Sequence, residues 1–387
     1  MVKIDPYKHE ESYRAWQGAT KNGVPDISKA NSDLVKQYLF DMEHGLNVSI
    51  KSVKGGRSFI RLNSLREKII YFSKRFKEFY DIDNITEISE GQLMIFFSKM
   101  RSGEIQKLKG GKYKGVVNFV KAFKAFWHWW QTVNRKKGIE IPDITVDLDT
   151  RNDKPKWVYL TEEQVKRLVD SAKPHYKTLI MFLYDTGIRA PTELINVKVG
   201  DLYNNCKELM IRDEISKTFG RRIKLMLCSD LLKKHIEYNG LKSTDYLFPI
   251  KPQTVNKYFN RLGERVFGDD MSEAGQKYKQ LTMYDFRHCS CCYWLPRYKS
   301  ESALKYRFGW KKSDKIHYYS ELLGMKDTIA EEDMFVDVTK TELEQQLSQS
   351  DRKREIADEK IKILEAQMKM ILKRVNEIEN GYKRKDI

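Results

Sequence analysis

Residues 179–194 read LIMFLYDTGIRAPTEL. An apolar helix, Leu179–Leu183, runs into Asp185-Thr186-Gly187, and Arg189 follows, with Glu193 four residues further on. Alone, an arginine after a helix is usually a surface charge. Three later segments change that reading. YDFRH (284–288) sets Arg287 between the acid Asp285 and His288. FGW (308–310) places Trp310 after a glycine, and HYYSEL (317–322) puts Tyr319 nine residues beyond it. Between the two arginines, ISKTFGRRIKL (215–225) offers Lys217.

Outward from these segments the chain divides by pattern. Residues 1–27 are polar and aperiodic and read as an N-terminal arm. From 28 to 140 the period is helical. Leu62, Leu65, Ile69, Phe72, Phe76 and Phe79 recur at steps of three and four, as do Val116, Val120, Phe123, Trp127 and Trp130. Each set makes one apolar helix face. The tryptophans here are expected in a core. IPDITVDLDTRNDKP (141–155) breaks the period, with proline near each end, and reads as a linker. Thr161 to Gln164 has the form of a capping box. A second domain is therefore expected over 156–330, with β-like alternation at 208–227 around a turn at Phe219-Gly220. A tail, 335–387, carries Ile361, Leu364, Met368, Ile371, Val375 and Ile378 at steps of three and four, the seam of a coiled coil. Packing back on its own domain is the alternative.

Lysine and arginine exceed aspartate and glutamate by 71 to 54, a net charge of +17. That balance points to a polyanionic partner. A membrane is not favoured, because no run of about 18 apolar residues exists to span one. Five cysteines without regular spacing suggest a reducing interior. A cytoplasmic, nucleoid-associated protein is expected. His288, Cys289, Cys291 and Cys292 cluster, but their spacing fits none of the usual paired zinc ligands. They read as packed core residues.

Together the segments resemble the motif boxes of the tyrosine recombinase family, which includes phage-type integrases. There the first box reads Thr-Gly-x-Arg with an acid soon after. The second reads His-x-x-Arg-His. The third reads Leu-Gly-His or Leu-Gly-Trp, with a tyrosine nine residues on. The resemblance covers residues 156–325 by motif, and 28–140 by architecture, where the family carries a helical core-binding domain. It implies a mainly α fold with a small antiparallel sheet, clasping duplex DNA. It also implies site-specific recombination through a covalent 3′-phosphotyrosine, by a dimer on each site and a tetramer in synapsis.

The chemistry agrees with that implication. Transfer at phosphorus puts charge on nonbridging oxygens, and guanidinium groups match phosphate with two parallel donors. Arg189 and Arg287 are assigned to that clamp, and Trp310 can add its indole N–H. Lys217 would protonate the departing 5′ oxygen, as the resemblance implies. Lys224, Arg221 and Arg222 compete with it, although these neighbours read better as DNA-backbone contacts or solvated charge. Tyr319 would attack. No metal, nucleotide or other cofactor is required.

Two positions depart from the family. Tyr284 stands where histidine is usual, so the Tyr319 proton has three routes: Tyr284, His288 or water. Tyr284 is kept in the catalytic set, with Asp285 and His288 behind it. Glu193 lies four residues after Arg189, where three is commoner, and reads as an orienter. Two basic runs precede helices in the first domain. Lys51, Lys54, Arg57 and Arg61 form one, and Lys107, Lys109, Lys112 and Lys114 the other. Both are candidate phosphate contacts. Two further readings stand beside recombination: a type IB topoisomerase-like relaxing enzyme, and a non-catalytic DNA-binding relic of the same fold.

Overall fold

A computed structural model describes residues 3–49, 52–107, 110–151, 155–298 and 300–323, with Ala357, Ile361, Leu364, Glu365 and Met368. Its buried side chains fall into two clusters, one from Tyr13 to Leu148 and one from Trp157 to Tyr319. The fold is mainly helical with one small antiparallel sheet.

The first cluster is built by α1 (His9–Ala19), α2 (Lys29–His44), α3 (Phe59–Tyr80), α4 (Glu90–Ser102) and α5 (Val117–Arg135). The expected face of α3 is buried from Leu62 to Phe76, while Phe79 at its end stays 43% exposed. Phe72, Phe76, Phe96 and Phe123 meet largely edge-on, the arrangement aromatic quadrupoles favour. On α5, Trp127 is buried as expected. Trp129, off the apolar stripe, is buried too, because its indole N–H finds Asp41 at 2.7 Å. Trp130 is only half-buried.

Two expected boundaries shift. Residues 1–27 are not simply a polar arm: α1 lies within them and contributes Tyr13 to the first core. Ahead of it, Lys3 Nζ donates to Ile215 O at 2.9 Å, and Asn196 exchanges two hydrogen bonds with the Ile4 backbone. The linker read at 141–155 is also tied down in its first half. Trp127 Nε1 donates to Pro142 O, Gln131 to Ile141 O, and Leu148 is buried in the first cluster. Residues 152–154 lie outside the described set.

The second cluster begins at Trp157. Thr161 and Gln164 form the expected capping box at the start of α6 (Glu162–Ser171). Then come α7 (Pro174–Thr186), strands β1 (Leu202–Tyr203), β2 (Glu208–Ile211) and β3 (Arg221–Lys224), and helices α8 (Ser229–Asn239) and α9 (Pro252–Phe267). The sheet runs β1-β2-β3, with Leu209 opposite Ile223. Residues 212–220 connect β2 to β3, so Phe219-Gly220 sits at the far end of the connection and not at its apex. Helices α10 (Met283–Trp294), α11 (Glu301–Phe308) and α12 (Asp314–Leu322) complete the domain. Of the tail, Ala357, Ile361, Leu364, Glu365 and Met368 are helical and exposed; Ile371, Val375 and Ile378 lie outside the described residues.

Candidate active site

Gly187 ends α7 and Gly309 ends α11, both with a left-handed backbone, φ +56° and +62°. These two turns gather the arginines. Arg287, buried on α10, donates to Gly187 O and, at 2.7 Å, to Phe308 O. Arg189, two residues past Gly187, donates to Gly309 O at 2.7 Å. Two consecutive carbonyls thus anchor two guanidinium groups. Burial and the nearby Arg189 charge lower the Arg287 pKa to about 10. An arriving anion is therefore favoured on electrostatic grounds.

Glu193 balances this charge. Its buried carboxylate takes Arg189 at 2.6 Å and Arg221 at 2.9 Å. Burial pushes its pKa up, but Arg221 and then Arg189 outweigh that and hold it down at about 2. The orienting role read for Glu193 fits this placement. Arg221 does not fit its expected place among the DNA contacts: it is 1% exposed, and its Nε donates to Arg307 O. A buried guanidinium needs a carboxylate partner, and Glu193 supplies it. Arg222, next along the strand, is exposed and pairs with Glu208.

Tyr319 lies on α12 and is 3% exposed. Its ring stacks on Trp310, 5.9 Å between centroids and 9° between planes. Its hydroxyl shares a hydrogen bond of 2.5 Å with Nδ1 of His288. Burial raises its pKa well above the ordinary phenol value. His288 in turn stacks on Trp157 at 4.7 Å. The sequence left the Tyr319 proton three routes, Tyr284, His288 or water; of the two side chains, His288 is the one within hydrogen-bond reach of the Tyr319 hydroxyl. Tyr284 is 49% exposed and meets His288 only edge-on, at 5.2 Å. Residues 284 and 288 share one face of α10, one turn apart along its axis, and the later one meets Tyr319 of α12.

Asp285 caps α10 through Thr282 and accepts from Val158 N at 3.0 Å, tying Trp157 and its neighbours to the site. Burial raises its pKa despite those bonds. Tyr318 points elsewhere: its hydroxyl donates to Pro155 O and accepts from Trp157 Nε1. Lys217 is exposed in the 212–220 connection, next to Thr218, whose hydroxyl donates to Gly309 O and accepts from Arg189. Sequence reasoning missed Trp157 and Thr218. Neither lies in a spaced motif, so no signal in the chain marked them.

The basic runs of the first domain are separate from this cluster. Lys54 and Arg57 are tied to backbone carbonyls of their own loop, at Val48, Ser49 and Val53. Arg61 is half-buried. Lys107, Lys112 and Lys114 are exposed around a small turn closed by the Gln106–Lys112 bridge. Lys51 and Lys109 lie outside the described residues. No group of three metal-ligating side chains occurs among the described residues, and none of their helices is long and apolar enough to cross a membrane.

In fold, the second domain is of the tyrosine recombinase type. Residues 158–324 match the phage integrase family. No curated protein matches the sequence. Among solved structures, the chain is similar to the Tn1549 transposon integrase in complex with transposon right end DNA. There the TM-score is 0.53 at 16% identity, over 79% of this chain and 97% of that one. It is also similar to a lambda integrase dimer bound to a COC′ core site, with TM-score 0.52 at 15% identity, over 82% and 81%. A third is the XerH recombinase bound to palindromic difH substrate, with TM-score 0.53 at 12% identity, over 77% and 95%. At such identities the likeness is one of fold.

Proposed function

We propose that this protein is a site-specific DNA recombinase that cuts and rejoins strands through Tyr319. The convergence of Arg189, Arg287, Trp310 and a His288-bound Tyr319 on the Gly187 and Gly309 turns carries this reading. The two guanidinium groups hold the scissile phosphate and stabilise the charge that grows on its nonbridging oxygens. The phenol, kept neutral by burial, gives its proton to His288 Nδ1 as its oxygen bonds to phosphorus. The P–O5′ bond breaks, and Lys217 protonates the leaving oxygen. The 3′-phosphotyrosine keeps the bond energy for rejoining. No metal is needed to neutralise the phosphate when two arginines do so.

Double-stranded DNA is the proposed partner, by analogy with the Tn1549 transposon integrase, which is in complex with transposon right end DNA. Lys54, Arg57, Arg61, Lys107, Lys112, Lys114 and Arg222 are proposed to meet its backbone. The protein is proposed to work in the cytoplasm on the nucleoid, as dimers that pair into a tetramer.

The test is covalent capture on a nicked duplex. Tyr319→Phe is expected to abolish the covalent complex and keep DNA binding, since only the attacking oxygen is lost. Tyr318→Phe is expected to retain capture. Capture that survives in both single variants and in the double variant would refute phosphotyrosine chemistry. Binding without capture by the wild type would leave a DNA-binding relic.

A further inference from the structure

We propose that Phe219 and Tyr306 are positioning residues that aim Lys217 at the departing 5′ oxygen; this rests on the reading of Lys217 as the general acid. Among the described residues, the Lys217 side chain is exposed and makes no hydrogen bond or ion pair. A long, free lysine has many rotamers. What aims it is therefore the backbone of the 212–220 connection.

That backbone is held on both sides of Lys217. Before it, Ser216 Oγ lies 3.4 Å from Glu193 Oε1. After it, Thr218 donates to Gly309 O at 2.9 Å, and Gly220 N donates to Asp213 Oδ1 at 2.6 Å. The remaining hold is apolar: the Phe219 ring stacks on Tyr306 of α11, 6.1 Å between centroids and 29° between planes. The Tyr306 hydroxyl also accepts from Arg222 N at 3.1 Å, where β3 resumes. Tyr306 thus grips the connection at its last residues and at the strand beyond it. Helix α11 ends at Gly309, whose carbonyl anchors Arg189. The acid's loop and the phosphate clamp are therefore fixed to one short helix.

The pair does not serve the core. Neither Phe219 nor Tyr306 belongs to the second hydrophobic cluster, and Tyr306 is 46% exposed. An aromatic in the otherwise polar run SKTFGRR gains little by burial. Its contribution is to where Lys217 stands.

The acid step offers a specific readout. With the normal substrate, the P–O5′ bond breaks and its electron pair leaves on oxygen, which takes a proton from Lys217 Nζ. With sulfur in place of the bridging 5′ oxygen, the pair leaves on sulfur. A thiol is far more acidic than an alcohol, with a pKa of about 8.5, so the thiolate departs without a proton. A defect confined to Lys217 placement vanishes on the sulfur substrate. A defect in the arginine clamp, in DNA binding or in folding does not.

Single-turnover cleavage of matched nicked duplexes, one with bridging oxygen and one with bridging sulfur, tests this in the full-length protein. Phe219→Ala and Tyr306→Leu are each expected to slow cleavage of the oxygen substrate by about 100-fold, the scale of a misplaced catalytic group. Both are expected to cut the sulfur substrate near the wild-type rate. Phe219→Tyr, which keeps the ring pair, is expected to restore the oxygen reaction. Equal losses on both substrates would overturn the proposal, as would undiminished cleavage of the oxygen substrate. Lys217→Ala is the control for the underlying reading. If sulfur rescues Lys217→Ala but not Phe219→Ala, only the positioning role fails. If sulfur does not rescue Lys217→Ala, Lys217 is not the acid and both ideas fall.

Discussion

At the scale of single residues, the site is governed by which charges are buried and what offsets them. Glu193 is the clearest case, a carboxylate with 0% exposure between Arg189 and Arg221. Its folded pKa, about 2, lies below the ordinary 4.5. The stability it contributes is therefore present above about pH 4.5 and is lost as pH falls toward 2. That contribution is roughly 3 kcal/mol by linkage. Acid titration followed by melting should show the loss in the wild type. In Glu193→Gln the domain should already be weaker at neutral pH, and this part of the acid dependence should be gone. An unchanged acid profile would contradict the pairing. The other residue-scale question is who takes the Tyr319 proton. His288 touches the phenol, whereas Tyr284 is half-exposed and touches only the imidazole. His288→Ala should lower the cleavage rate by about 100-fold or more, the range of general base catalysis. Tyr284→Phe, which keeps the edge-on ring contact, should change it little. The reverse ranking would give the role to Tyr284.

At the scale of elements, two helix ends do the positioning. Gly309 has φ +62°, and a Cβ there would stand 3.0 Å from Arg221 Nη1, 3.1 Å from Thr218 Oγ1 and 3.2 Å from Arg189 Nη1. Gly309→Ala should therefore cost about 1–2 kcal/mol of stability from backbone strain alone. It should also cost cleavage out of proportion, about 100-fold, because the added carbon pushes on the arginine clamp. Single-turnover rates beside melting temperatures would separate the two effects, and a fully active variant would count against the clamp geometry. Elements also show what the sequence could and could not reveal. The α3 face and the Thr161–Gln164 capping box were readable because a period or a local side-chain exchange defines each of them. Helix α1 was not, since it buries one residue, Tyr13, and so leaves no stripe. Trp129 lies off the apolar stripe, and a hydrogen bond to Asp41, distant in sequence, makes its burial tolerable. The motif arginines and Tyr319 were legible from spacing. Their partners Trp157 and Thr218 were not, because only the folded chain brings them near. Arg221 and Arg222 are adjacent in sequence, and strand alternation alone sends one inward to Glu193 and the other out to solvent.

At the scale of the whole molecule, a net charge of +17 has to be accounted for by what the protein binds. Each phosphate contact releases counterions, so the log–log salt slope of DNA affinity should approach about −0.9 per contact. A nearly flat affinity between low and moderate salt would argue against a DNA partner. The tail poses a separate question. Ile361, Leu364 and Met368 are helical and each more than half exposed. They repeat at steps of three and four, and the sequence continues the same register through Ile371, Val375 and Ile378. An apolar stripe of that length is costly to leave in water, and a three-four repeat is the pattern that a second helix covers by knobs-into-holes packing. A second copy of this chain would provide such a helix in matching register, as the proposed dimers and tetramers require. Truncation after Asp333 should therefore reduce self-association, measured by sedimentation across a range of concentrations. Covalent capture of a nicked half-site should persist, because Arg189, Arg287, His288 and Tyr319 all precede the cut. Undiminished self-association would show that the stripe is covered within its own chain. Loss of capture together with self-association would mean that the tail also supports the site that holds Tyr319.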